Sequence, residues 1–483
     1  MHKSTYVLVL ATTFWGCANS QGSGDTGEGG ASDTGGATAS GGGNGSGGSG
    51  SGGSVSGTGG SGTGGSVTGT GGAVSTGGVT GTGGGAAGTK GTGGTTATGG
   101  VTGTGGAAGA KATGGTTGTG GAAGAKGTGG ATGTGGSATS TLPSYFFGAD
   151  VTDQEPAGTT AINNLLTSMK ANGFNFVRLR TFVDPKAADG YDRTNGYDDI
   201  THTVAFGALV KAAGMGLLID FHMSDNWADP GKQCMPVAWQ GYTNIADLSG
   251  ALHDYVKSSI TALIAGGARP DMVQIGNETT PGMLLHLCDS GGQPINGMTP
   301  KVTGAASTAG WPNLGMLLKA GIQGVKDVDT GILISFHIDR GSTYSTSKSW
   351  LDNAIKQGAT PDTFGESCYQ QYQGDPNSQT NTQNGWQTTF SQLATNYPNI
   401  RFFAAEYGPM ERQINDVVFG LPNNQGLGTF DWEPTSQGTW NDPQPSDATQ
   451  TTHALWQRSG NNYTALPDLA LYPPMKTAYA SRL

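Results

Sequence analysis

The sequence predicts a (β/α)₈ TIM barrel, preceded by a disordered linker rich in Gly, Thr and Ser. Two observations favour this fold: from residue 143 onward, short apolar segments alternate with segments of helical periodicity, and many of the apolar segments end in a polar residue. Parallel strands that alternate with helices close into such a barrel, whose functional groups lie at the carboxyl ends of the strands. An open doubly wound sheet is the alternative, but no Gly-x-Gly-x-x-Gly turn follows the first strand.

Residues 1–18 have the layout of an export signal. A basic Lys3 precedes an apolar run over residues 6–15, which is too short to span a bilayer as a helix. Gly16-Cys17 then resembles the end of a bacterial lipoprotein signal, in which the cysteine is lipidated. We therefore expect a secreted or cell-surface protein that contacts a membrane only through a lipid anchor at Cys17; ordinary secretion and cytoplasmic retention are the alternatives.

Residues 19–142 are predicted to form a flexible linker. Glycine makes up 89 of the 483 residues, and most of these glycines lie before residue 140, among Thr, Ser and Ala. Such a composition has high backbone entropy and almost no apolar surface to bury. A glycine-rich cell-wall fibre or a glycosylated stalk is the alternative, and each would hold the remaining chain away from its point of attachment.

Residues 143–483 have the composition of one globular domain of roughly 340 residues, a size typical of a (β/α)₈ barrel. The net charge of −10 and the lack of basic runs argue against a nucleic-acid partner, so a neutral polymer or small molecule is the expected substrate. No heptad pattern or exposed apolar stripe indicates association, and we expect a monomer.

The barrel elements follow one another in order. The first strand precedes apolar residues at helical spacing from Ile162 to Met169, a helix that ends at Asn172-Gly173. Helices over residues 204–213 and 248–264 follow the second and third strands. Segments rich in Val, Ile, Leu and Phe predict eight strands: 145–151, 174–180, 216–222, 272–278, 331–337, 362–369, 401–406 and 428–432.

Two acidic residues lie at the ends of predicted strands. Val273 and Ile275 predict a buried strand that breaks at Gly276 and places Glu278 at its carboxyl end, and a similar apolar run leads to Glu406. Both carboxyl groups would then meet in one pocket, because the carboxyl ends of barrel strands share a face. Glycoside hydrolysis needs such a pair, with one carboxyl protonated and the other ionised in a retaining mechanism.

Polar side chains recur at nearly every predicted strand end, and a barrel without an active site would not need them. Arg180 is placed to pair with one glutamate and keep it ionised, and Asn277 is placed to bond the 2-hydroxyl group of a sugar. The set comprises Asp150, Arg178, Arg180, Asp220, His222, Asn277, Glu278, His337, Asp339, Tyr369, Glu406 and Trp432.

The long loop after the third strand carries Trp227, with Trp239 beyond it, among Asp, Asn and Gln residues. Exposed tryptophans in such a loop are typical of sugar binding; the alternative is that both only cover the end of the barrel. The histidines lack the spacing of a zinc site, so no cofactor or metal is expected. No Gly-x-Ser-x-Gly motif indicates a serine hydrolase.

Three cysteines fall in the predicted domain. Cys234 and Cys288 both lie in loops on the proposed active-site face, so we expect them to form a disulfide in an oxidising compartment. Cys368 would remain a free thiol.

These segments together resemble the endo-β-1,4-galactanases of glycoside hydrolase family 53, which are retaining (β/α)₈ enzymes. The resemblance covers most of residues 145–440, and residues 220–233 carry a motif specific to this family, Asp-Phe-His-Met-Ser-Asp-Asn-Trp-Ala-Asp-Pro-Gly-Lys-Gln. It implies that Glu278 is the general acid/base and that Glu406 is the nucleophile. It also implies that the sugar at subsite −1 is lined by Arg180, Asn277, Tyr369 and Trp432.

The function implied by the resemblance is hydrolysis of β-1,4-galactosidic bonds within the (arabino)galactan side chains of pectin. The family's usual sequence around Glu406 and after the sixth strand is altered here, so another endo-β-glycanase acting on mannan, xylan or β-glucan is the first alternative. A non-catalytic carbohydrate-binding surface protein is the second. Some bacterial relatives hold a structural calcium near their last strands, but no clear carboxylate cluster in this sequence requires one.

Overall fold

A computed structural model describes residues 142–435 and 454–482 of the chain. The predicted export signal, Cys17 and the linker up to residue 141 lie outside the described residues. The barrel strands are β1 (Phe146–Asp150), β2 (Phe176–Thr181), β3 (Gly216–Phe221), β4 (Met272–Ile275), β5 (Leu333–Ile338), β6 (Thr363–Cys368), β7 (Arg401–Tyr407) and β8 (Gly426–Trp432). These eight parallel strands close into a barrel in the order β1-β8-β7-β6-β5-β4-β3-β2, which confirms the predicted (β/α)₈ fold.

Helices surround the barrel and begin at polar capping residues in several cases. Asp199 and Asn244 accept hydrogen bonds from the backbone N–H groups of His202 and Asp247 at 2.8 and 3.0 Å, which satisfies donors that a helix start leaves unpaired. The helices are α1 (Thr159–Ala171), α2 (Ile200–Ala212), α3 (Ile245–Ala265), α4 (Trp311–Lys326), α5 (Tyr344–Lys356), α6 (Gln379–Asn396), α7 (Glu411–Phe419) and α8 (Tyr472–Ala478), with a single helical turn at Gln370–Gln373. No helix in the described ranges has the length and apolar character needed to cross a membrane.

The connections above the barrel carry the disulfide. Cys234 and Cys288 are joined, which confirms the predicted pair, and Cys368 is a buried free thiol. The bridge closes a loop of 54 residues that contains α3 and β4, so it ties together the segments that follow β3 and β4. Both of these segments leave the barrel at the end where Glu278 lies.

The interior of the barrel is apolar at one end. Phe146 packs against Phe176 and Phe430, with ring centroids 4.7 and 5.0 Å apart. Side chains on a strand alternate between its two faces, so Arg178 and Arg180 follow Phe176 into the interior, nearer the carboxyl end. Hydrocarbon therefore fills the amino end, and charged groups are confined to the carboxyl end. The apolar set is Phe146, Phe176, Leu218, Met272, Phe403, Ala405, Leu427 and Phe430.

Candidate active site

A bulge in β7 directs Glu406 into the barrel. Along the β6–β7 pair, Glu366 is opposite Ala404 but the next residue, Ser367, is opposite Glu406, so β7 has one extra residue there. Ala405 belongs to the apolar interior, and strict alternation would turn the following residue outward. The bulge instead aims Glu406 at Arg178 on β2 and at Tyr369, which directly follows β6. Re-aiming a side chain is a common role of bulges near functional sites.

Glu278 reaches the same place from a strained turn after β4. Gly276 has a φ of +81°, and Glu278 itself has a φ of +45°, a conformation that non-glycine residues rarely adopt. A Cβ on Gly276 would lie 2.6 Å from both the Met283 Sδ and a methyl group of Thr279, so only glycine fits there. This turn leaves Glu278 9 % exposed, with Oε1 2.6 Å from the Ser367 hydroxyl oxygen.

Glu406 is held by one cation and one phenol. An Arg178 Nη2 donates to Oε1 at 2.9 Å, and the Tyr369 hydroxyl donates to Oε2 at 3.0 Å. Glu406 is 6 % exposed, so both contacts form in a largely dry environment. Charge-assisted bonds of this kind are stronger than neutral ones and fix the direction of the carboxylate.

Arg178 connects Glu406 to three other predicted site residues. Its Nη1 contacts Asp150 at 2.8 Å, and its Nη2 contacts Asp220 at 2.8 Å and the Asn277 Oδ1 at 2.9 Å. The guanidinium is only 1 % exposed, and a buried cation is tolerated when it is paired on several sides. Arg178 is therefore the hub around which the polar end of the barrel is arranged.

The two glutamates have different electrostatic surroundings. Burial raises the pKa of Glu278 well above the usual range, and the nearby carboxylates of Glu406 and Asp339 raise it further. Burial also raises the pKa of Glu406, but the Arg178 cation and the Tyr369 hydroxyl oppose this rise, so the pKa of Glu406 is raised less than that of Glu278. Glu278 is thus the carboxyl that keeps a proton, and Glu406 is the one whose ionised form has dedicated partners.

The prediction that Arg180 pairs with one of these glutamates is wrong. The Arg180 guanidinium binds Asp198 at 3.0 Å and Glu433 at 2.9 Å, and its carbon lies 4.2 Å from the centre of the Trp227 ring. Arg178, two residues earlier on the same face of β2, occupies the place beside Glu406. Arg180 instead supports Trp227, whose ring lies 6.3 Å from that of the partly exposed Trp432.

A sequence model of one enzyme family matches this region. The description of that model is "Glycosyl hydrolase family 53", and it matches residues 148–409, more than half of the chain. The chain belongs to glycosyl hydrolase family 53. The matched residues extend from β1 to the loop after β7, so they include both Glu278 and Glu406.

Several known proteins are similar to this chain. The arabinogalactan endo-β-1,4-galactanase of Thermothelomyces thermophilus is 29 % identical over 293 residues, which cover 55 % of this chain and 79 % of the fungal protein. The endo-β-1,4-galactanase of Bacillus subtilis (strain 168) is 26 % identical over 350 residues, covering 66 % and 75 %. Among solved structures, the GH53 catalytic domain of Ignisphaera aggregans is 25 % identical with a TM-score of 0.55, covering 69 % of this chain and 97 % of that domain.

Four predicted site residues of this family 53 chain lie beneath the site and contact protein groups. Asp150 and Asp220 bind Arg178, and the His222 Nε2 lies 3.0 Å from an Asp220 oxygen. His337, with no exposed surface, lies between Asn277 and Ser367. A direct sugar contact stays a prediction for these residues; the contacts seen here hold the exposed groups in place.

Asp339 lies on the other side of Glu278. It follows β5, pairs with Arg340 at 2.6 Å, and accepts a hydrogen bond from the Thr280 hydroxyl. It is 4 % exposed and close enough to raise the pKa of Glu278. Its sequence position after a barrel strand correctly indicated this location.

The sequence argument missed Ser367 and Gln274 in the site of this family 53 chain. Ser367 contacts Glu278, and the Gln274 Nε2 donates to Asp220 and lies 3.2 Å from the Asn277 Oδ1. The available signal was the presence of a glutamine inside a short, otherwise apolar strand, since buried polar groups need partners. Ser367 carried a weaker signal, as the residue two positions before Tyr369 on the inward face of β6.

For Trp239, the structure favours the alternative that it covers the end of the barrel. It is 6 % exposed and packs against Tyr255 with ring centroids 5.9 Å apart, so it covers the barrel and does not present a face to sugar. Trp227, by contrast, is partly exposed beside the site. Within residues 142–435 and 454–482, no group of three His, Cys, Asp or Glu side chains is placed to hold a metal ion.

Replacing Arg178 by glutamine is expected to move the acid limb of the kcat/KM profile to higher pH by about one to two units. The nucleophile must be ionised, and the loss of the adjacent cation raises the pKa of Glu406, so activity disappears first at low pH. Initial rates on galactan between pH 3 and pH 9 measure this shift.

Arg180→Gln is the matched control for Arg178→Gln. Arg180 is equally buried on the same strand face, but its guanidinium binds Asp198 and Glu433 and not Glu406. Both variants leave buried carboxylates unpaired, at a cost of about 3–5 kcal/mol of folding free energy, so thermal unfolding is followed in parallel. Equal shifts of the acid limb in the two variants would show that Arg178 has no special effect on Glu406.

Proposed function

We propose that this family 53 chain is an endo-β-1,4-galactanase, which cleaves the (arabino)galactan side chains of pectin with retention of configuration. The observation that supports it most is the arrangement of Glu278, after β4, and Glu406, on β7, at the same end of the barrel, one bonded to Ser367 and the other to Arg178 and Tyr369. Relatives named as endo-β-1,4-galactanases support the choice of substrate.

In the first step, a Glu406 oxygen attacks the anomeric carbon while Glu278 gives its proton to the leaving glycosidic oxygen. The bond to that oxygen breaks, and a covalent glycosyl-enzyme forms on Glu406. In the second step, Glu278, now ionised, takes a proton from water, and that water attacks the anomeric carbon and releases Glu406. This sequence requires the two carboxyl groups to be about 5–5.5 Å apart, which stays a prediction for this chain.

Three further residues have geometry suited to holding the reacting sugar. The Asn277 Nδ2 donates one hydrogen bond to the Ala228 carbonyl oxygen at 2.8 Å. We propose that its second hydrogen bonds the 2-hydroxyl group of the sugar. The partly exposed rings of Trp227 and Trp432 offer apolar faces to a pyranose. Tyr369, through its bond to Glu406, orients the attacking oxygen in the first step.

The test uses the full-length protein and a panel of galactan, arabinogalactan, mannan, xylan and mixed-linkage β-glucan. Reducing ends should appear from the two galactan substrates, and proton NMR in the first minutes should show the β-anomer of the new reducing end. Release confined to another polymer would overturn the substrate, and early α-anomer would overturn retention. Binding without release from any polymer would favour a carbohydrate-binding protein.

A further inference from the structure

A chain of hydrogen bonds runs from Asn277 to the carboxyl of Glu278 through two side chains that do not open to the pocket. The Asn277 Oδ1 lies 2.8 Å from the His337 Nδ1, and the His337 Nε2 lies 2.9 Å from the Ser367 Oγ. The Ser367 Oγ lies 2.6 Å from the Glu278 Oε1. His337 and Ser367 have no exposed surface, so no solvent competes for these bonds.

The Asn277 end of this chain has a defined polarity. Arg178, which can only donate, contacts Oδ1 at 2.9 Å, and the Ala228 carbonyl oxygen, which can only accept, contacts Nδ2 at 2.8 Å. The two partners fix which side of the amide is oxygen. Oδ1 can only accept, so the His337 Nδ1 opposite it must carry a hydrogen.

This polarity passes from one group to the next. Burial and the Arg178 cation keep the pKa of His337 well below its usual range, so the imidazole is neutral and has one N–H. With that hydrogen on Nδ1, Nε2 is an acceptor, and the Ser367 hydroxyl donates to it. The remaining lone pairs of the Ser367 Oγ then face the Glu278 Oε1, and a bond between these oxygens requires the hydrogen on Glu278.

The opposite polarity is disfavoured at the His337 end. It would place the hydrogen on Nε2 and leave the Nδ1 lone pair 2.8 Å from the Asn277 Oδ1, which is also an acceptor. Gln274 could donate to Nδ1, but its Nε2 is 3.3 Å away. Its two hydrogens have closer acceptors in Asp220 and in the oxygens of Gly276 and Asn277 at 3.2 Å.

We propose that His337 and Ser367 are positioning residues that hold the proton on Glu278 before it is delivered to the leaving group. This inference rests on the proposed function, because it assigns Glu278 as the acid. When the proton passes to the glycosidic oxygen, the Ser367 hydroxyl turns to donate to the new carboxylate and gives up its bond to Nε2. The proton that Glu278 takes from the attacking water in the second step restores the resting polarity, so the chain favours return to the acid form.

Other charges also act on Glu278 and His337. Glu278 faces Glu406 from β7, Asp339 from the end of β5 and Asp229 from the loop after β3. His337 faces Arg178, Asp220 and His222 from β2, β3 and the loop after β3. A Ser367 hydroxyl that donated to Glu278 would lower the pKa of that carboxyl, whereas one that accepts its proton raises it. The direction of a pH shift therefore distinguishes the two polarities.

The kinetic test compares Ser367→Ala with Ser335→Ala on galactan. Loss of the acceptor should lower the pKa of Glu278, so the alkaline limb of kcat/KM should move down by about one pH unit, and Ser367→Thr should restore it. Ser335 is a buried serine on β5 whose Oγ lies 3.3 Å from the Phe336 carbonyl oxygen, and its loss should leave the limb in place. If the alkaline limb of the kcat/KM profile of Ser367→Ala stays in place or moves to higher pH, the proposal is overturned.

The tautomer of His337 gives a test that needs no activity. In full-length protein labelled with ¹⁵N-histidine, the resonance that disappears in His337→Gln should show the pattern of a neutral ring protonated at Nδ1 at pH 7. A ring protonated at Nε2, or at both nitrogens, would overturn the proposal. Wild-type protein with an Nδ1–H tautomer but no activity on galactan would count against the proposed function and leave the hydrogen-bond polarity intact.

Discussion

Replacing Glu406 by alanine should lower kcat on galactan by at least about 10⁴-fold, because no covalent glycosyl-enzyme can form without the attacking carboxylate. The loss should be the same for galactan and for an aryl β-galactobioside with a good leaving group, since both need the nucleophile. Initial rates on the two substrates measure it.

Azide identifies the role of Glu406 directly. A small anion that enters the space of the missing carboxylate attacks the anomeric carbon from the same side, so Glu406→Ala with azide should form the α-glycosyl azide from the aryl substrate. A β-glycosyl azide would contradict the nucleophile assignment. Glu366→Gln is the control: Glu366 is a buried glutamate on β6 that accepts a bond from the Arg340 backbone N–H at 3.1 Å and lies outside the site. Burial raises the pKa of Glu366 to about 8, so glutamine resembles its neutral form and activity should remain.

Replacing Glu278 by alanine should lower kcat on galactan by about 10²–10⁴-fold, because a sugar leaving group needs a proton as the bond breaks. An aryl galactobioside with a good leaving group needs no such proton, so its first step should remain fast while hydrolysis of the glycosyl-enzyme becomes slow. A burst of released phenol followed by a slow steady rate is the expected signature in stopped-flow measurements.

The azide product again separates the two roles. In Glu278→Ala, azide should attack the glycosyl-enzyme in place of water and speed the steady rate, and the product should be the β-glycosyl azide. An equal loss of rate on galactan and on the aryl substrate, with no burst and no effect of azide, would contradict the acid/base assignment. Opposite azide anomers from the Glu406 and Glu278 variants would confirm both roles in one pair of experiments.

The sequence by itself determined the barrel and the location of its two acids. Strands that are buried on both faces appear in the sequence as continuous apolar runs, so local patterns predicted the eight strands. Polar residues at the carboxyl ends of these strands share one face of the barrel, which predicted where Glu278 and Glu406 lie. The pairing of Cys234 with Cys288 followed in the same way, from two loops at one end. These features depend on residues close together in the chain or on a rule common to the fold.

Only the tertiary structure decided which arginine forms the ion pair with Glu406. Arg178 and Arg180 lie on the same face of β2, and alternation alone treats them alike. The choice depends on the stagger between β2 and β7, strands that are not neighbours, and on the extra residue that the bulge inserts at Ala405. Stagger across a closed barrel is set by the packing of all eight strands, which no local pattern records.

The hydrogen-bond chain at Glu278 likewise came only from the structure. His337, Ser367 and Asn277 belong to β5, β6 and the turn after β4. The sequence singled out His337 and Asn277 as polar residues at strand ends, but it gave no sign that Ser367 connects them to Glu278. Their effect arises from distances of 2.6 to 2.9 Å between groups with fixed donor and acceptor roles. The sequence could place such groups at one end of the barrel, but the direction of each bond depends on contacts made in three dimensions, because a donor must face an acceptor at every link.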